Sequence, residues 1–276
     1  MKKTLLLALT LFAASLAFAA SVPISVDLKM DEIDYVAGER VRAVIDVKNM
    51  SPYKVSVGYA NSEDRLFVEI FRAHDMSELD RAVEKPFTAE FMIKSNEGQK
   101  LETFLADHFA LREPRRYLAR PVLVHHGKRY EGQYRAFDIV PGIELSHALQ
   151  QFKKDPGLSR DFTLVHWTRQ GHEHLFLTAS DRGSSNRQYV TTDVGPLMRI
   201  NRPTISILPN GEVIVLHRAG PDMFIRSEFW SMPQRLYLNS RQSVNDPETA
   251  AQTRVKELYD DQGGVEAVDR PWWKFW

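Results

Sequence analysis

The chain has 276 residues, with 36 basic and 36 acidic side chains and no cysteine. A balance of zero lacks the basic face that nucleic-acid binding needs, so no nucleic-acid partner is expected. The missing thiols exclude disulfides, a cysteine nucleophile and any Cys-ligated metal or Fe–S centre, so stability must come from core size.

In chain order, residues 1–19 have the composition of a signal peptide. Lys2 and Lys3 give a basic start, Thr4 to Leu16 is apolar and uncharged, and Ala17-Phe18-Ala19 fits small-x-small cleavage. The apolar run is shorter than the roughly 20 residues a membrane span needs. No cysteine follows it for lipid attachment. The expectation is a chain secreted to the periplasm or the extracellular space, with no transmembrane segment after cleavage.

Residues 22–140 read as strands between turns. Arg40 to Lys48 places Val41, Ala43, Ile45 and Val47 on one face and Arg42, Asp46 and Lys48 on the other. That period of two predicts a half-buried antiparallel strand. Asn49-Met-Ser-Pro52 is a turn, Tyr53 to Tyr59 alternates again, and Leu66 to Phe71 is a denser apolar run. Met76 to Val83 reads as a helical turn. Leu101, Phe104, Leu105, His108 and Phe109 have helix-like spacing. The stretch from Asp75 to Arg116 is read as an elaborated loop, the alternative being a partner-facing insertion. His125-His126 precede Gly127 in a hairpin, and neighbours on a strand point to opposite faces, so they are no ready chelate.

Gly38, Glu39, Val41, Val47, Asn49 and Ser51 form a GE-x-V…V-x-N-x-S run. Together with Tyr35-Val-Ala, Leu66 to Ile70 and a closing strand Tyr134 to Val140, it resembles the bacterial immunoglobulin-like β-sandwich of exported proteins. The Cys…Trp…Cys signature of antibody domains is absent. The resemblance implies a framework over 22–140, with function on grafted loops.

Residues 141–160 are taken as a linker, with Ile143 to Phe152 a short helix. From 161 to 240, short strands alternate with turns about every ten residues, the pattern of a second β-rich domain. Pro203 to His217 is its clearest element: two β-branched runs flank Pro209-Asn210-Gly211, a hairpin. The same run resembles one propeller blade, but a full propeller needs roughly four blades or more. A sandwich or a blade-like unit is therefore expected. Residues 241–276 form a tail. Asp246 caps a helix that Pro247 opens and that runs to Tyr259, and the chain closes on Pro271-Trp-Trp-Lys-Phe-Trp276. The predicted class is all-β, with an N-terminal immunoglobulin-like sandwich, a second β-rich domain and a short C-terminal helix.

Two candidate sites follow. His166, His172 and His174 flank Arg169-Gln170-Gly171. A three-residue loop would pair His166 with His174 and put three imidazoles on one face, a set that suits zinc. A two-residue loop would send His166 to the other face; the plain alternative is a solvated sheet face. Trp272, Trp273, Phe275 and Trp276 need a place to bury, on the chain itself, in a partner's groove or at a membrane interface. No nucleophile elbow, P-loop, H-E-x-x-H or G-x-G-x-x-G occurs, so no catalytic residue is assigned. Asp181-Arg-Gly-Ser-Ser-Asn186 is a polar loop able to hold a cation or a sugar, or a plain hairpin turn. The expected function is that of a non-enzymatic, envelope-associated module that binds a periplasmic or envelope protein and carries no cofactor. The alternatives are an enzyme, metal-dependent or carbohydrate-active, built on the His cluster, and a structural subunit of an envelope assembly.

Overall fold

The computed structural model describes residues 23–58, 64–83, 87, 89–152, 157–183, 189–232 and 235–244. The expected signal, the tail helix and the Trp-rich end lie outside the described residues. What is described is all-β, with one short 3-10 turn at Leu105–Asp107. The chain divides into two compact units. Among the described residues, one comprises those up to Tyr35 with Val41–Leu111 and Arg115–Ile139; the other comprises Val36–Arg40, Arg112–Pro114 and those from Val140 on.

The first unit is built from β1 (Ile24–Met30), β2 (Asp34–Val36), β3 (Arg42–Asn49), β4 (Val55–Val57), β5 (Arg65–Arg72), β6 (Phe91–Ile93), β7 (Glu97–Phe104), β8 (Arg115–His125), β9 (Lys128–Glu131) and β10 (Arg135–Val140). One sheet has the order β1-β3-β7, a second β2-β10-β8-β5 with β9 on β8, and β4 pairs with β6. Val41, Ala43, Ile45 and Val47 are fully buried, as their alternation predicts. Strand β3 is the middle strand of its sheet, with Val26 and Gln99 on either side of Val47. Tyr117 stacks on Phe137 at 5.5 Å.

Two local expectations fail here. The helix-like stretch 99–111 is strand β7 followed by the 3-10 turn. Its helical spacing loses to pairing along all of β3, from Asn49↔Glu97 to Arg42↔Phe104. Residues 76–83 are not helical either: the Asp75 carboxylate accepts from the Ser77 amide at 2.9 Å and closes a turn, with Met76 at φ 56°.

The second unit holds β11 (Ile143–Gln151), β12 (Ser159–Arg169), β13 (His172–Arg182), β14 (Tyr189–Pro196), β15 (Thr204–Ile207), β16 (Glu212–Gly220), β17 (Met223–Met232) and β18 (Arg235–Val244). They form two antiparallel meanders, β11-β12-β13-β14 and β15-β16-β17-β18. Phe162, Leu164, Leu175 and Leu177 from the first meander pack with Val213, Val215 and Phe229 from the second in one core. The unit is a sandwich, not a set of propeller blades. The hairpin at Pro209-Asn210-Gly211 forms as read: the Gly211 amide donates to the Leu208 carbonyl at 3.0 Å, with φ 89°. The expected linker is wrong. Residues 143–151 are a strand along β12, from Ile143↔His166 to Gln151↔Ser159. Leu145 and Leu149, four apart, suggest a helix face, yet Leu145 packs on the core and Leu149 is half exposed. The eleven-residue strand β12 needs its edge backbone groups paired, and that demand overrides the local spacing.

Candidate functional site

The outer face of the β11–β14 sheet gathers most of the unpredicted chemistry of the second unit. Its geometry starts at the turn between β12 and β13. Gln170 and Gly171 both have positive φ, 51° and 81°, which makes a two-residue loop of the kind that suits tight hairpins. The pairs are then Arg169↔His172, Trp167↔His174 and His166↔Leu175. His166 therefore points into the sandwich, while His172 and His174 share the outer face with Trp167 and Arg169. The three imidazoles are not brought together, which corrects the expected metal site on His166, His172 and His174. Among the described residues, no group of three or more His, Asp or Glu is placed to hold a metal ion.

Each histidine has a separate environment. His166 is buried, burial holds its pKa below the usual imidazole value, and its Nδ1 meets no hydrogen-bond partner among the described residues. His172 is exposed. His174 Nδ1 lies 3.0 Å from an oxygen of Asp193.

At this end of the face, Arg169 grips Glu39 with both terminal nitrogens, at 3.0 and 2.7 Å, and the Val36 amide donates to the same carboxylate at 3.0 Å. Burial raises the Glu39 pKa, and the Arg169 bonds pull against it. In the middle, Val36 packs on Val165 and Phe176, with Val140 and Trp167 beside them. The segment Val36–Arg40 is fastened to β14: the Thr191 amide donates to the Gly38 carbonyl at 2.9 Å and the Thr191 hydroxyl to the Ala37 carbonyl at 2.6 Å. Gly38 is required there, since a Cβ would sit 2.4 Å from the Tyr189 ring and φ is 84°.

The other half of the face stays open as a groove of about 550 Å³, within the range of roughly 300–1,000 Å³ for small-ligand sites. Register places its side chains in two rows. One runs His147, Thr163, Thr178 across three strands and ends on the buried Thr191 of β14; the next carries Asp161, Ser180 and Tyr189. Asp161 is ion-paired with Arg182, and Glu144 lies 3.6 Å from His147. Burial raises the Tyr189 phenol pKa, against a small opposing pull from Arg112.

No family model matches the chain, and no curated protein does. A solved structure similar to it is that of the sporulation control protein Spo0M from Bacillus subtilis, at 10% identity and a TM-score of 0.30, covering 87% of this chain and 97% of that one. A likeness of that strength carries no argument about fold or function.

Asp181, read as part of a polar loop open to a cation or sugar, sits instead inside the sandwich. It pairs with the fully buried Arg160 at 2.5 Å. Arg160 also donates to Ser231 Oγ and the Met232 carbonyl, both at 2.9 Å, and Ser231 Oγ donates to Gln150 Oε1 at 2.5 Å. This cluster joins β11, β12, β13 and β17. Its inward direction was readable in Arg160, Phe162 and Leu164, which share one parity; its partner across the sheets was not.

The remaining feature is the edge strand β18. It runs for ten residues, pairs with β17, and is the last strand of its sheet among the described residues. Tyr237 and Leu238 are 37% and 41% exposed on it. Of the unit's other edges, β14 is covered by Val36–Arg40, β15 has four residues, and β11 has nine, one fewer than β18. Trp272, Trp273, Phe275 and Trp276, the predicted partner contacts, lie outside the described residues.

Proposed function

We propose that this chain is an exported, non-enzymatic module that binds a protein of the periplasm or envelope by accepting an extended segment of it beside β18. The observation that carries the reading is the length and exposure of that edge. A strand edge presents unpaired amides and carbonyls in a row, and proteins usually blunt it with short strands, proline or a covering segment. Strand addition uses such an edge directly, with main-chain hydrogen bonds for affinity and alternate side chains for specificity. Tyr237 and Leu238 offer apolar contacts next to it. The aromatic end at Trp272, Trp273, Phe275 and Trp276 is a second contact for the same partner.

Export rests on the basic start and uncharged apolar run of residues 2–19. A binding role is supported by the way buried charges are used: Arg160, held by Asp181 on its own sheet, donates across to Ser231 and Met232 of the other, and Arg169 with Glu39 ties a segment to a sheet. The first unit is read as the immunoglobulin-like framework its motif resembles. In support, the buried Asn49 of that motif donates through Nδ2 to the Tyr53, Ile93 and Lys94 carbonyls, at 2.7, 3.3 and 3.2 Å, and fixes the following turn.

Single proline substitutions at two consecutive positions, Ser240→Pro and Arg241→Pro, test the edge. Of Ser240 and Arg241, one points its amide at β17 and the other outward. The outward Pro variant keeps the sheet and blocks an incoming strand. Its capture of envelope proteins should fall at least tenfold with an unchanged melting temperature, and deletion of 265–276 should weaken capture further. Undiminished capture by the outward variant contradicts the proposal.

A further inference from the structure

We infer that the open half of the outer β11–β14 face binds a neutral, polyhydroxylated ligand of the carbohydrate class, one to three rings long. The inference is independent of the strand edge.

The chemistry follows from what the groove offers. Thr163 and Ser180 present hydroxyls, each able to donate once and accept twice. Thr178 is directional. The Thr191 hydroxyl gives its proton to the Ala37 carbonyl, so in the 2.9 Å contact between the two threonines Thr178 is the donor. Its remaining lone pairs are left as acceptors beside Thr163. Asp161 and Glu144 add acceptors, while Arg182 and His147 add donors. Donors and acceptors thus alternate over neighbouring strands, which lie about 4.8 Å apart. A ligand must answer with both at several adjacent points, as vicinal hydroxyls do.

Charge narrows the class. Asp161 is matched by Arg182, and Glu144 stands apart beside His147 at 3.6 Å, so acidic and basic groups are interleaved and form no block of one charge. An anion would meet two carboxylates, and a cation would meet Arg182. Apolar contact comes from Pro141, Val165 and Tyr189 at the margins, enough for the C–H face of a sugar ring. Volume fits as well: about 550 Å³ accommodates a short oligosaccharide and not a folded domain.

The test uses the mature full chain titrated calorimetrically with chitotriose, cellotriose and maltotriose, each to about 10 mM, a range that covers affinities as weak as millimolar. Inorganic phosphate and a neutral tripeptide serve as comparison ligands. At least one trisaccharide should bind. The paired change Thr163→Val with Ser180→Ala should weaken it at least tenfold, while Thr163→Ser with Ser180→Thr retains most of the affinity. All variants should melt with the wild type. No heat from any trisaccharide, binding that survives the Val/Ala pair, or tighter binding of phosphate or the tripeptide would each overturn the inference.

Discussion

Arg160 and His217 show how far one buried side chain can govern the second unit. Arg160 and Asp181 are each about 1% exposed in their side chains, so removing the cation leaves a carboxylate in the core. Arg160→Ala should cost about 3–5 kcal/mol, measured by urea denaturation. Arg160→Met with Asp181→Leu should recover most of that loss, because the pair's net worth over an apolar substitute is small. His217 is 2% exposed and donates through Nε2 to the Pro196 carbonyl, 3.1 Å away. Burial pushes its pKa down to about 4. The folded state therefore resists the proton that the unfolded chain takes up near 6.5. Stability is full above about pH 6.5 and declines as pH falls toward 4, by on the order of 3 kcal/mol. A denaturation series from pH 7.5 to 4.5 should show that slope, and His217→Gln should flatten it. A slope unchanged in the variant would assign it to another group, with His166 next, since burial lowers its pKa too.

At the scale of single elements, legibility depended on whether local pattern and tertiary demand agreed. For β3 they agreed, and the alternation Val41, Ala43, Ile45, Val47 marked the buried row. For β11 and β7 they conflicted, and pairing with a long neighbour prevailed. The β12–β13 turn decided the fate of the His site, and its signal was weak: glutamine is an uncommon occupant of the left-handed region that Gln170 adopts. Gln170→Asn should therefore stabilise the hairpin, by about 0.5–1 kcal/mol, read as a raised urea midpoint. Gly38→Ala should act in the opposite direction. The new Cβ meets the Tyr189 ring at 2.4 Å, so segment Val36–Arg40 must lift from β14. A loss of about 2 kcal/mol, with faster amide exchange at Thr191, is the expected reading. The groove was invisible to sequence because its rows combine residues from four strands, and register, not spacing along the chain, sets them side by side.

At the scale of the whole molecule, all-β architecture was legible from alternation and turn chemistry, and each unit carries its own core. The proposed partner surface was not legible, since an edge becomes an edge only when the strand order is known. Strand addition also predicts a pattern that other docking modes do not. Residues whose amides face outward on β18 should gain hydrogen-exchange protection on binding, and the alternate ones, already paired with β17, should change little. The most direct measurement is photo-crosslinking in the native envelope from a probe placed in turn at Tyr237, Leu238, Ser240 and Gln242. The account predicts adducts to one protein from these edge positions, lost in the outward proline variant. No adduct from any of the four, or the same adducts in the proline variant, would contradict it.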